Sequence, residues 1–114
     1  PSDANEQRGI VSKKGTTIGF VDRDKASVFI ATAQNNKLLL DDDGESISLS
    51  DQHGNEITMS KDGIVLRSKA AVRIEANKDI ALQSSKDTVL KSDAGLQIDA
   101  SQAVAIKGSQ VDVK

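Results

Sequence analysis

The chain has 114 residues, a formal charge of −2 and 28% charged residues, with two Phe and no Trp, Tyr or Cys. The absence of Cys excludes disulfides and thiolate metal sites. So few aromatic residues leave a core to be built from Ile, Val, Leu and Ala, which suits a narrow core better than a wide one. Residues 1–63 carry 7 basic and 11 acidic side chains and residues 64–114 carry 8 and 6. Neither half offers the concentrated Lys/Arg surface that phosphate neutralisation requires, so no nucleic-acid partner is expected.

No run reaches the roughly 18 apolar residues of a membrane-spanning helix. The first six residues, PSDANE, lack the basic and apolar regions of a secretory signal. No initiating Met is present, and the chain is expected to be a piece of something longer. In chain order, residues 8–12 and 16–21 read as a strand pair within a lead-in segment, 1–24. Residues 25–63 read as a looser β-prism region with about one strand every ten residues. Its strands are marked by Val28-Phe29-Ile30, Leu38-Leu39-Leu40, Ile47 with Leu49, and Ile57 with Met59. Polar, turn-forming stretches separate them: Gln34-Asn35-Asn36, Asp41-Asp42-Asp43-Gly44 and Asp51-Gln52-His53-Gly54-Asn55.

From Ile64 to the end the chain repeats with a period of eight: IVLRSKAA, VRIEANKD, IALQSSKD, TVLKSDAG, LQIDASQA, VAIKGSQV, then DVK. The first column holds Ile64, Val72, Ile80, Thr88, Leu96 and Val104. The third holds Leu66, Ile74, Leu82, Leu90, Ile98 and Ile106. Apolar residues two apart share one face of a strand but lie on different sides of a helix, which decides for strands. The fourth column is polar, as the opposite face requires. The fifth is small throughout (Ser68, Ala76, Ser84, Ser92, Ala100, Gly108), suiting a tight corner. Only Thr88 breaks the apolar columns, and Val111 and Val113 arrive one residue early, which marks a distorted or capped last turn.

Each octad supplies only two inward side chains, too little to offset the roughly 1–2 kcal/mol per residue lost on ordering the backbone. Three copies wound about one axis solve this, each forming one wall of a triangular prism whose aliphatic columns meet at the centre. Every column side chain so buried contributes about 1.5–3 kcal/mol. The fold expected is therefore all-β: an intertwined homotrimeric β-prism with octapeptide repeats, regular from 64 to 114. Its trimer core is expected to be Ile64, Leu66, Val72, Ile74, Ile80, Leu82, Leu90, Leu96, Ile98, Val104 and Ile106.

The stretches RGIVSKKGTTI (8–18), LLLDD (38–42), ISLSDQHGNEITM (47–59), DGIVL (62–66) and the octads together resemble the C-terminal spike of VgrG proteins. These are the type VI secretion relatives of contractile phage baseplate spikes. The resemblance implies a triple-stranded β-helix that sits below a hub and tail tube and punctures a target membrane when a sheath contracts. It implies assembly in the bacterial cytoplasm followed by secretion or injection, with effectors carried along. It also implies a PAAR-repeat protein on the tip, docked near Gly108, Gln110, Val111, Val113 and Lys114. The family's hub and oligonucleotide/oligosaccharide-fold domains do not occur in this sequence, nor does the His-x-His apex motif of some phage spikes.

Sharper chemical readings find little support. His53 is the single His and sits in a turn, which rules out a two-His metal site and leaves a catalytic triad without a framework. The run Asp41-Asp42-Asp43-Gly44-Glu45 lacks the spacing and terminal Glu of an EF-hand loop. Gly15-Thr16-Thr17-Ile18-Gly19 lacks both the Lys of a phosphate loop and the third Gly of a dinucleotide fingerprint. No enzyme activity and no cofactor are expected. The alternatives are a phage tail spike tip, a β-solenoid adhesin stalk or carbohydrate binder, and a solenoid hydrolase. A binder would display outward aromatic residues, and a hydrolase would cluster carboxylates on one outward face.

Overall fold

The computed structural model describes residues 7–22 and 24–114. Residues 1–6, the start of the expected lead-in segment, lie outside them. The structure divides into two units between Ile74 and Glu75. The first contains seven strands: β1 (Gln7–Val11), β2 (Thr17–Asp22), β3 (Ala26–Ala31), β4 (Lys37–Asp41), β5 (Ser46–Ser50), β6 (Glu56–Ser60) and β7 (Gly63–Arg67). They pair in sequence order as one antiparallel meander. Each apolar triplet read from the sequence falls inside a strand. The all-β expectation holds, and the described residues contain no helix. The strand of the first octad, Gly63–Arg67, is the seventh strand of this sheet.

Loops after β1, β3 and β5 share one design. Residues 12–16, 32–36 and 51–55 each close with a hydrogen bond from the first residue's N–H to the fifth residue's carbonyl: Ser12 to Thr16 (2.8 Å), Thr32 to Asn36 (3.0 Å) and Asp51 to Asn55 (3.1 Å). The fifth residue's N–H returns to the first residue's side-chain oxygen, at 3.0, 3.2 and 2.9 Å respectively. This is why a short hydroxyl or carboxylate residue opens every one of them. The fourth residue is left-handed in all three: Gly15 (φ 89°), Asn35 (φ 69°) and Gly54 (φ 88°). Gly and Asn are the residues that reach this region at least cost.

Beyond β7 the chain continues as segments with neither helix nor paired strand, interrupted by paired bends at 69–70, 77–78, 85–86, 93–94, 101–102 and 109–110. The bends are eight residues apart and fall just after the small fifth column. Two of the small residues show why Ser suits that position. Ser68 Oγ accepts the Ala70 N–H at 3.1 Å, and Ser92 Oγ accepts the Ala94 N–H at 3.3 Å. Thr88, the polar break in the first column, has its hydroxyl 2.6 Å from that of Ser84 across a bend. Among the described residues, none beyond Arg67 pairs into a strand ladder within its own chain.

Gly54 and Gly95 separate backbone conformation from simple crowding. A Cβ on Gly54 meets only the flexible Lys69 side chain, 2.9 Å from Cγ, whereas its φ of 88° strains any L-residue. Gly95 has open space and no positive φ. Gly54→Ala should destabilise by about 1–2 kcal/mol and Gly95→Ala should be neutral or slightly stabilising, as read by urea midpoints at one fixed protein concentration.

Candidate self-association surface

The register of the meander sorts its side chains into two unlike faces. Opposite residues of an antiparallel pair lie on the same face. One row therefore runs Ile10, Ile18, Ile30, Leu38, Leu49, Ile57, Leu66 across all seven strands. A second, parallel row runs Phe20, Val28, Leu40, Ile47, Met59, Ile64 across β2 to β7. Not one position in either row is polar. The other face carries Gly19, Phe29, Leu39, Ser48, Thr58 and Val65, flanked by Thr17, Ala31, Lys37, Ser50, Glu56 and Arg67.

The apolar face is the one left open. Phe20 remains 42% exposed, Leu49 52%, and the edge residues Ile10 and Ile64 71% and 73%. No apolar side chain among the described residues is buried. The mixed face is better covered: Phe29 and Leu39 are half-buried, and the Lys37 ammonium sits 5.8 Å from the centroid of the Phe29 ring. Across its outer strands, Arg67 pairs with Glu56 at 2.9 Å. The chain exposes 10843 Å², against about 6,000 Å² for a folded monomer of its mass. The excess is surface that one copy cannot cover.

On the open face lies a groove of about 730 Å³. Its floor is Ile30, Leu38, Leu49, Ile57 and Leu66, and its other wall is Ala71, Val72 and Ile74, where the chain leaves β7. Four expected core residues are thus in the first unit: Ile64 and Leu66 on β7, and Val72 and Ile74 on the groove wall. Ile80, Leu82, Leu90, Leu96, Ile98, Val104 and Ile106 are in the second unit and all exposed, Leu82 to 85%. Of the expected tip residues, Val111 and Val113 are exposed, and Gln110 Nε2 lies 3.4 Å from both Asp112 carboxylate oxygens. The rows on β1 to β6 belong to the same apolar surface, although the octad columns alone do not reach them. Their signal in the sequence is the same i, i+2 alternation at looser spacing.

A backbone with neither helix nor strand pairing within its chain, carrying apolar columns, calls for partners from another molecule. Residues 27–78 match the phage baseplate V C-terminal trimerisation domain family. The matched stretch runs from β3 to the second octad's bend and so contains most of the open face and the whole groove. No curated protein matches the chain significantly. The stretch similar to that family therefore overlaps the surface that lacks cover.

The polar candidates within that segment are turn chemistry. Asp43 N–H donates to Asp41 Oδ1 at 3.1 Å, which folds the acidic run into a tight turn. Among the described residues, no group of three or more His, Asp or Glu is placed to hold a metal ion. His53 N–H donates to Asp51 Oδ1 at 2.9 Å, an arrangement that shapes the loop. Asp51 also receives the Asn55 backbone N–H at 2.9 Å and the Asn55 side-chain amide at 2.8 Å. These two Asn55 bonds, then the His53 N–H and the nearby imidazole, hold its carboxyl below the usual 3.8 against a smaller opposing push from desolvation.

A lowered carboxyl pKa stabilises the folded state above the unfolded value, and that contribution disappears as pH falls through the folded value. The native protein should therefore lose this contribution as pH falls below the ordinary carboxylate value, and Asp51→Asn should reduce that loss. Thermal unfolding at pH 7 and pH 2, at fixed protein concentration, checks it; an unchanged acid drop in Asp51→Asn contradicts the assignment.

Proposed function

We propose that the chain is the shaft of a homotrimeric spike in a contractile injection apparatus, a mechanical element that works by stiffness and is not catalytic. The carrying observation is the pair of apolar rows on one face, open in one copy and overlapping the match to a phage baseplate trimerisation domain. Three copies would bring these faces together on a common axis and let the octads complete their backbone hydrogen bonds across chains as a triple-stranded β-helix. Force along the axis would then load inter-chain ladders and interlocked side chains together.

The resemblance to VgrG spikes supports the finer reading of a type VI secretion spike. In that setting the shaft hangs below a hub and tail tube, carries effectors, and crosses a target membrane. It is assembled in the cytoplasm and then injected. The last residues, Gly108, Gln110, Val111, Val113 and Lys114, would meet a PAAR-repeat tip protein, and the exposed Val111 and Val113 suit an apolar cap. The matched family's own description favours the second reading, a phage baseplate spike with the same trimer and the same face.

Sedimentation equilibrium should give three times 12.1 kDa. Ile57→Asp on the open face, and Leu82→Asp with Leu90→Asp in the octads, should abolish the trimer, whereas Thr58→Asp on the mixed face should retain it. A folded monomer of the native chain, or a trimer that survives Ile57→Asp and the paired octad substitutions, refutes the reading.

A further inference from the structure

The loops after the odd-numbered strands stack on one another, and the last of the stack is the first octad corner. Their opening residues are Ser12, Thr32 and Asp51; Ser68, where the chain leaves β7, begins the next corner with a different bond, its Oγ accepting the Ala70 N–H at 3.1 Å. Two kinds of contact link successive corners, and both occur between the third and the fourth. A Cβ on the fourth residue of one loop would meet the second residue of the next: Gly15 against Ala33 Cβ at 3.1 Å, and Gly54 against Lys69 Cγ at 2.9 Å. The fifth residue's side chain reaches the same second residue. Asn36 Oδ1 accepts the Gln52 N–H at 3.0 Å, and Asn55 Oδ1 accepts the Lys69 N–H at 2.9 Å.

We propose that Asn36 and Asn55 are side-chain clamps that hold successive corners in phase, with Asn55 fixing the residue at which the meander passes into the octads. Neither amide is free to turn over. The Gln52 N–H can only donate and so requires Asn36 Oδ1, and Asn55 Nδ2 donates at 2.8 Å to the Asp51 carboxylate, which can only accept and so leaves Asn55 Oδ1 for the Lys69 N–H. Ser68 Oγ–H has Asn55 Oδ1 and Ala71 O as acceptors, both at 3.0 Å, which ties the small fifth-column residue to the same clamp. A change of one residue here would exchange the inward and outward faces of every following strand, so the phase of this corner governs which columns are apolar. The clamps thereby join a repeat of about twenty residues to one of eight without an irregular linker.

Residue-resolved amide hydrogen exchange on the assembled protein tests this, because each clamp protects one named amide. Asn55→Ala should speed exchange at Lys69 by roughly tenfold, the worth of one hydrogen bond, and leave Gln52 unchanged. Asn36→Ala should do the reverse. Asn36→Asp, which faces no carboxylate, keeps an acceptor and should keep Gln52 protected. If Asn55→Ala does not fold, the Asn36→Ala pair of amides carries the same comparison. Unchanged exchange at Lys69 in Asn55→Ala and at Gln52 in Asn36→Ala overturns the proposal, as does equal acceleration of both amides in either variant. The readout is local to single amides and does not depend on how many copies assemble.

Discussion

Everything in this structure turns on one mismatch: a sheet with two apolar rows on one face, in a chain whose described residues leave those rows open. A single sheet needs a second layer to remove its apolar side from water. In a self-sufficient antiparallel domain, that layer is a second sheet or a helix from the same chain. Here the described residues supply neither, and the segments after β7 bring further apolar columns in place of a cover. The favourable term that offsets backbone ordering is therefore only partly realised within one copy. Local geometry, set by turns and ladders, is complete before the burial that makes it worthwhile.

The two unlike faces also show how a protein can expose apolar surface in one copy and still select its mode of assembly. The mixed face is closed by Phe29 packed under Lys37 and by the Glu56–Arg67 pair, and toward β5 and β6 it becomes Ser48 and Thr58. Such pairs add little to stability when exposed. Their use is to make that side a poor partner for another apolar face, so association is directed to the other side. Thr88 follows the same logic within the columns: its hydroxyl is satisfied by Ser84 and makes no demand on a neighbour.

Much of this was legible in the sequence where alternation is strict. Ile47 with Leu49, Ile57 with Met59, and the octad columns announce their face directly, because a polar residue separates each apolar pair. Leu38-Leu39-Leu40 does not. Its face is settled only by pairing, which places Leu38 opposite Ile30 and Leu49, and turns Leu39 to Phe29 and Ser48. The loop stack was less legible still. Gln34-Asn35-Asn36 and His53-Gly54-Asn55 read as turns from composition, but the partners of the Asn36 and Asn55 side chains lie in other loops, and no local rule links residues that far apart. The common loop design is visible in hindsight as a hydroxyl or carboxylate four residues before Thr16, Asn36 and Asn55.

The eight-residue interval between bends has one further consequence. Eight is an even number, so inserting or deleting a whole unit leaves every later side chain on its original side of the strand, and the small corner residue returns to a corner. Inserting an odd number of residues would turn the water-loving side inward from that point on. Length in this part of the chain can therefore change over evolutionary time in fixed steps, with each step chemically self-contained, while the surrounding units keep their sequence.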